Sequence, residues 1–258
     1  MRKKTFAILI LLLSLLNLDA QNNRWSVEIG AGAALPVGKF ASKNIYDSTA
    51  SFAKIGPALN LALNYRFSSY FSTTILLSGQ QNNVDTKNID KKWDAASPGN
   101  YYQTTSNNWL IGKLMAGITA NLPVNKRLFL SGRVTAGAVK TSTYKFTTIG
   151  YTAINDSLNL GPGSSPTTIT ETNAKQALKW EFTYLIGTGI KYSLTKQVLF
   201  LCNLDYSSST LRFARIYYSN LSTGVLTGSG NPPPQAIRAL PKQPVSSLNL
   251  SVGLAVNL

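Results

Sequence analysis

The stretch NLALNYRF at residues 60–67 decides the fold. Its odd positions are apolar or aromatic, and its even positions are small or polar. Successive side chains of a strand point to opposite faces, so the pattern predicts a β-strand with one apolar face. In a soluble barrel that face would form the core, whereas in a membrane barrel it would meet lipid.

The same alternation returns at three later places in the chain, in AGITANLP (116–123), GTGIKYSL (187–194) and SVGLAVNL (251–258). A short turn and a second alternating strand follow each of the first three copies, and the second strands begin at Phe71, Leu128 and Val198. Together with an opening strand from Trp25, this predicts an all-β fold, an eight-stranded antiparallel up-and-down transmembrane barrel.

The other connections are long and rich in Pro, Gly, Ser, Thr and Asn, which indicates loops. We expect them at about 36–53, 83–107, 147–175 and 214–245. Short turns on one side and long loops on the other are typical of outer-membrane barrels. An even number of strands places the first and last strand ends on the short-turn side, which faces the periplasm.

The first residues have the pattern of a secretory signal peptide. Three basic residues at 2–4 precede an apolar run from 6 to 18, and Ala20 marks the expected cleavage site. We therefore expect a signal peptide over 1–20 and an outer-membrane β-barrel domain over 21–258. The alternative interpretation is an uncleaved amino-terminal anchor.

Composition excludes several kinds of chemistry. The 258 residues include no histidine and one cysteine, Cys202, so imidazole-dependent mechanisms and an internal disulfide are excluded. Three acids, Asp85, Asp90 and Asp94, are interleaved with lysines, which favours a solvated loop over a Ca²⁺ site. We expect no cofactor and no catalytic residue.

The two faces of the predicted strands differ in a way that favours lipid outside. No charge falls in the middle of the apolar face, while the other face carries small residues and a few charges of both signs. Small residues suit the narrow interior of an eight-stranded barrel, where buried charges must be paired. The predicted interior charge network consists of Glu28, Arg66, Lys113, Arg133, Glu181, Lys191 and Asp205, with Glu28 and Glu181 as its main acids.

The net charge of +15 raises the question of an anionic partner. Nucleic acid does not suit an exported membrane protein, whereas the phosphates of lipid A do. Six basic residues fall near the predicted outer strand ends and are candidate phosphate contacts: Lys140, Lys145, Lys175, Lys179, Arg212 and Arg215. The alternative is that these charges only keep the loops soluble.

The leader, the eight alternating strands and the final SVGLAVNL resemble small outer-membrane barrels of the OmpA/OmpX type. The Ala-Gln junction and the VGLAVNL strand resemble still more the outer-membrane β-barrel domain family of Bacteroidota, which is labelled porin-like or PorT-like. The resemblance implies that the last strand is the insertion signal for the barrel-assembly machinery, through Gly253, Leu254, Val256 and Leu258. Leu258 stands where that family usually has an aromatic residue.

These observations predict a non-catalytic protein of the cell outer membrane, with a structural or binding role in the envelope and long surface loops. Outer-membrane lipids, including lipopolysaccharide, are its expected partners. Two alternatives stay open: a narrow passage for small or apolar solutes, and a PorT-like component of a secretion system.

Overall fold

The computed structural model describes residues 24–47, 49–142, 144–152, 168–176, 180–222, 235–236 and 242–258. The predicted signal peptide, residues 1–20, lies outside the described residues. Eight antiparallel strands close into a barrel. The predicted fold class and the strand number are therefore confirmed.

The eight barrel strands begin and end close to the expected positions. They are β1 (Trp25–Val37), β2 (Gly56–Arg66), β3 (Phe71–Asn82), β5 (Trp109–Pro123), β6 (Leu128–Thr141), β9 (Glu181–Ser193), β10 (Val198–Leu211) and β13 (Gln243–Asn257). Around the barrel they follow the order β1-β13-β10-β9-β6-β5-β3-β2. The remaining elements are a 3₁₀ turn (Gly38–Phe40), helix α1 (Thr86–Ala96) and the strands β4 (Asn100–Ser106), β7 (Tyr144–Thr152), β8 (Thr168–Gln176), β11 (Phe213–Ser222) and β12 (Gln235–Ala236).

The three short turns are built in the same way. In each, one side-chain oxygen accepts two backbone N–H groups that the tight turn would otherwise leave unpaired. Asn125 Oδ1 accepts from Arg127 and Leu128 at 2.9 and 2.8 Å. Ser68 and Thr195 use their hydroxyls in the same position of the other two turns. This chemistry sets the register of the strand pairs.

The apolar face of the strands points outward, which answers the question raised by NLALNYRF. Leu59, Leu61 and Leu63 are exposed, while Ala58 and Ala62 of the same strand are buried in the lumen. Exposed apolar residues continue around the barrel at Ile29, Ile75, Leu77, Leu114, Ile118, Val134, Ile186, Ile190, Leu204, Leu250, Val252 and Leu254. A continuous outward apolar band on an even number of antiparallel strands is the architecture of a membrane-spanning barrel of the outer-membrane type.

The stretches expected to be loops contain regular structure, which corrects that prediction. Strands β4, β7, β8, β11 and β12 form a second sheet on the loop side, in the order β12-β11-β8-β7-β4. Its strands adjoin β5, β6, β9 and β10 in the same lateral order, so the wall of the barrel continues past its rim. Several of these strands are rich in Thr and Tyr, as in NYYQTTS and YKFTTIGYT. β-Branched and aromatic residues favour strands. The outer strands nevertheless lack the alternation of apolar residues that predicts the membrane strands.

Helix α1 lies against this outer sheet. Asp94 Oδ1 accepts the backbone N–H of Tyr102 in β4 at 2.7 Å, and the rings of Trp93 and Tyr102 are 6.0 Å apart. Asp90 and Asp94 therefore lie on a packed helix, with Asp85 directly before it, and not on a solvated loop. Within the described residues, no helix is long and apolar enough to cross a membrane.

The outward direction of Leu61 predicts the effect of a charge at that position. Leu61→Arg should impair insertion, because an arginine on the lipid face near the bilayer midplane costs about 2–4 kcal/mol in a membrane barrel. The measurement is the folded fraction in lipid vesicles, read from the gel mobility of unheated samples. Val124→Arg is the matched control, since Val124 is exposed in a turn outside the strands. Equal folding of the two variants would contradict the lipid-facing assignment.

Candidate functional site: the barrel lumen

The layer of the lumen nearest the turns contains an ion pair between β9 and β1. Lys191 Nζ lies 2.6 Å from Glu28 Oε1, and both side chains are about nine-tenths buried. The charges come from opposite parts of the wall and meet inside it. Two buried charges in contact avoid the cost that either would incur alone.

The next layer is a two-pronged ion pair that crosses an intervening strand. Arg133 on β6 and Asp205 on β10 are both directly opposite Gly187 on β9. Arg133 Nε donates to Asp205 Oδ1 at 2.7 Å, and Nη2 donates to Oδ2. A Cβ at Gly187 would lie 1.9 Å from Asp205 Oδ1. The glycine therefore leaves the space that lets the two charged groups meet.

Above this pair, a ring of hydrogen bonds crosses the lumen. Lys113 Nζ donates to Gln80 Oε1 at 3.0 Å and to Ser207 Oγ at 2.6 Å. The hydroxyls of Ser207 and Ser247 are 3.1 Å apart, and Ser247 Oγ donates to the same Gln80 oxygen at 3.0 Å. The four side chains come from β5, β3, β10 and β13. Among the described residues, no carboxylate lies within ion-pair distance of Lys113.

The loop end of the lumen is closed by an apolar cluster that we call the seal. Phe40, from the segment 38–54, is fully buried and meets the ring of Trp109 edge-on with centroids 5.7 Å apart. The other buried members of the seal are Ala53, Ile111, Val139, Leu211 and Val245. Trp109 is 3% exposed and lies inside the barrel.

Polar contacts hold the segment 38–54 over the barrel mouth. Gln243 Nε2 donates to Thr49 O at 2.6 Å and to Ser51 Oγ at 2.7 Å. Asp85 pairs with Lys43 at 2.9 Å and Lys54 at 3.1 Å. Burial alone would raise the pKa of Asp85, but the two lysines outweigh it and hold the pKa below its usual value.

Two predicted members of the charge network lie at the ends of their strands. Glu181 is half-buried at the loop end of β9, opposite Val139, and forms no ion pair with another described residue. Arg66 is exposed at the turn end of β2. The acids that pair inside the lumen are Glu28 and Asp205, so the expectation for Glu181 was wrong. Its position at the strand end places it above the paired layers.

The pattern of the sequence did not lead to a prediction of the neutral residues that line the lumen. Gln80, Ser207 and Ser247 complete the lysine ring, and Phe40 forms the centre of the seal. Gln80, Ser207 and Ser247 stand at inward-facing positions of alternating strands, and this pattern could have indicated them. Phe40 carries no such signal because it lies outside the strands.

The six candidate lipid A contacts divide into three groups. Lys140 and Arg212 are exposed at the loop end of the barrel, with Lys140 Nζ 6.0 Å from the centre of the Trp180 ring. Lys145, Lys175 and Arg215 belong to the outer sheet, with Arg215 opposite Lys175, so they do not lie at barrel strand ends as expected. Lys179 lies outside the described residues.

The residues of the expected insertion signal form the end of β13, which pairs with β1. Leu254 is exposed on the lipid face, and Val256 is half-buried. Gly253 is opposite Gly30, and a Cβ at Gly253 would lie 2.0 Å from the carbonyl oxygen of Ile29. Leu258 follows the strand and donates its N–H to the carbonyl oxygen of Trp25 at 2.8 Å. Recognition by the assembly machinery stays a prediction.

No group of three or more metal-ligating side chains occurs among the described residues. No protein-family model matches the chain, and no curated protein matches it. Solved outer-membrane proteins resemble it weakly. Neisserial surface protein A is 10% identical with a TM-score of 0.44, over 91% of this chain and 97% of that one.

Two further solved structures give similar values. OprG from Pseudomonas aeruginosa is 11% identical with a TM-score of 0.43, over 90% of this chain and 94% of that one. The Yersinia pestis attachment invasion locus protein Ail is 11% identical with a TM-score of 0.36, over 89% and 97%. The fold of this chain is defined by its own strand order and register.

The Arg133–Asp205 pair predicts that a mutation of one partner lowers stability strongly and that a mutation of both partners restores much of it. Asp205→Ala should lower the free energy of unfolding by about 3–5 kcal/mol, because it leaves a buried guanidinium unpaired. The measurement is the urea-unfolding midpoint in detergent. The double variant Arg133→Leu/Asp205→Leu should recover much of the loss, because it buries no unpaired charge.

Glu181→Ala is the matched control for that experiment, since Glu181 is an acid on a neighbouring strand without a described ion-pair partner. It should change stability by less than about 0.5 kcal/mol, as is usual away from buried networks. A loss for Glu181→Ala as large as that for Asp205→Ala would contradict this assignment of the buried acids.

Proposed function

We propose that this protein is an integral outer-membrane barrel with a closed lumen, and that it serves the envelope as a non-catalytic scaffold whose outer part binds ligands. The observation that carries the proposal is the closure of the lumen at several successive levels. The ion pairs, the lysine ring and the seal lie one above another between the turns and the loops. The location is supported by the outward apolar band and by the short turns opposite long connections.

The contacts inside the lumen support closure better than passage. An eight-stranded barrel has an interior that side chains alone can fill. Both lumenal acids, Glu28 and Asp205, are held by a base at contact distance. An acid in such a pair neutralises a buried base. This supports a structural role for Glu28 and Asp205 rather than a catalytic one.

The part of the protein beyond the rim supports a binding role. The outer sheet enlarges the surface that the barrel presents, and α1 covers part of it. A cleft of about 520 Å³ lies between α1 and residues 44–46, with Lys91 and Lys92 at its side. Tyr46 is 80% exposed there. Tyrosine is among the residues that are enriched at protein interfaces.

One observation favours the alternative of a narrow passage. A polar cavity of about 220 Å³ opens at the turn end of the barrel and reaches the Lys191–Glu28 pair. A solute entering there would still have to cross the Arg133–Asp205 pair, the lysine ring and the seal. A role in a secretion system stays a hypothesis, and copurification with secretion components would test it.

The closed lumen predicts the electrical behaviour of the protein. In planar bilayers the wild-type protein should show no steady conductance, because every level of the lumen is occupied by side chains. Phe40→Ala should also stay closed, since it removes only the seal and leaves the polar layers intact. A sixteen-stranded porin in the same chamber is the positive control. A steady wild-type current would overturn the scaffold proposal and favour passage.

Lipid binding at the rim is a separate part of the proposal. Lys140 and Arg212 are exposed where the barrel meets the outer leaflet, and charge-assisted contacts to phosphate favour cations there. Replacing both by Gln should reduce the rise in melting temperature that lipopolysaccharide gives over zwitterionic lipid. The control Lys126→Gln/Arg127→Gln makes the same charge change in a turn at the other end. An equal reduction in both double variants would contradict a specific rim contact.

A further inference from the structure

The turn end of the barrel contains a cavity that the closed-lumen proposal does not use. It has a volume of about 220 Å³, and we call it the vestibule. Its floor is made of buried side chains, among them Glu28, Asn64 and Lys191. Its mouth is made of exposed ones, including Arg66 and Lys196. The vestibule therefore opens toward the turn side and ends at the first ion pair.

The charge of the vestibule is strongly one-sided. Among the described residues, four cationic side chains line it, namely Arg24, Arg66, Lys191 and Lys196, against the single carboxylate of Glu28. That carboxylate is already 2.6 Å from Lys191. Cations that surround one concave space raise each other's energy, and a bound anion relieves this repulsion. Lys126 and Arg127, in the turn between β5 and β6, are exposed but are not among the residues that line the cavity.

The polar groups of the vestibule suit an oxyanion better than a bare halide. Arginine presents a planar fork of N–H donors that matches phosphate oxygens, and two of the four cations are arginines. Hydroxyls of Ser26, Ser69 and Ser72 line the same space. The arginine N–H groups and these hydroxyls are donors suited to the oxygens of a phosphate.

We propose that the vestibule is a binding site for a phosphate group at the periplasmic end of the barrel. Arg24, Arg66 and Lys196 supply the charge at the mouth, and the Lys191–Glu28 pair forms the floor that stops the anion from entering the lumen. The site does not depend on the binding role of the outer sheet. The phosphate could come from a soluble phosphate compound or from the headgroup of a phospholipid in the inner leaflet.

The first test measures binding of inorganic phosphate to the full-length folded protein in detergent by isothermal titration calorimetry, at constant ionic strength set with chloride. Saturable binding is expected. Arg66→Gln and Lys196→Gln should each weaken it by roughly tenfold, the usual effect of deleting one charge-assisted hydrogen bond. Arg127→Gln is the matched control at the same end of the barrel, and its affinity should equal that of the wild type.

Folding of every variant is checked by the mobility of unheated samples on gels, so that a loss of binding is not confused with a loss of structure. Absence of saturable phosphate binding in the wild type, both in detergent and in nanodiscs, would overturn the proposal. Equal weakening in Arg66→Gln and Arg127→Gln would also overturn it, since it would indicate a diffuse charge effect.

A second arm identifies the source of the phosphate. The titration with inorganic phosphate is repeated in nanodiscs of phosphatidylglycerol and compared with the titration in a detergent that contains no phosphate. A weaker apparent affinity in phosphatidylglycerol nanodiscs would support the site and assign it to a lipid headgroup, provided that Lys196→Gln shows no such difference. An unchanged affinity would support the site and assign it to soluble phosphate.

Discussion

Closure of the seam between β1 and β13 is the constraint on which the rest of the structure depends. A membrane offers no water to the backbone, so a spanning sheet has to leave no open edge. Here the first and last barrel strands pair over twelve residue positions from Ser26 to Val37. Gly253 lets β13 approach β1 closely, because a side chain there would collide with the backbone of Ile29. With eight strands closed, the lumen is too narrow to remain empty of side chains.

That narrow lumen explains why charges occur in layers. Each buried charge needs a partner that the wall can bring within contact, and small residues between them make the room. Gly187 does this for Arg133 and Asp205. Lys113 is satisfied differently, by neutral oxygens of Gln80 and Ser207. The lumen therefore combines two ion pairs with one lysine held only by hydrogen bonds, and the apolar seal keeps water from the loop end.

The two ends of the barrel differ in chemistry as well as in length. At the loop end, residues 38–54 turn inward, and the wall extends outward as a second sheet. At the turn end, three minimal turns leave a cationic cavity open. The same closed barrel thus presents a large folded surface on one side of the membrane and a small basic concavity on the other.

The sequence by itself determined the eight barrel strands and their lipid-facing side, because these follow from a period of two that every barrel strand shares. It also indicated five of the lumenal charges, Glu28, Lys113, Arg133, Lys191 and Asp205, because they stand at inward positions. Only the tertiary structure decided which of them meet, since partners such as Lys191 and Glu28 are 163 residues apart. It also decided that Glu181 lies above the paired layers and that Phe40 closes the mouth. These outcomes depend on the stagger of strands around the ring and on the path of a connection, and neither is encoded in a local pattern.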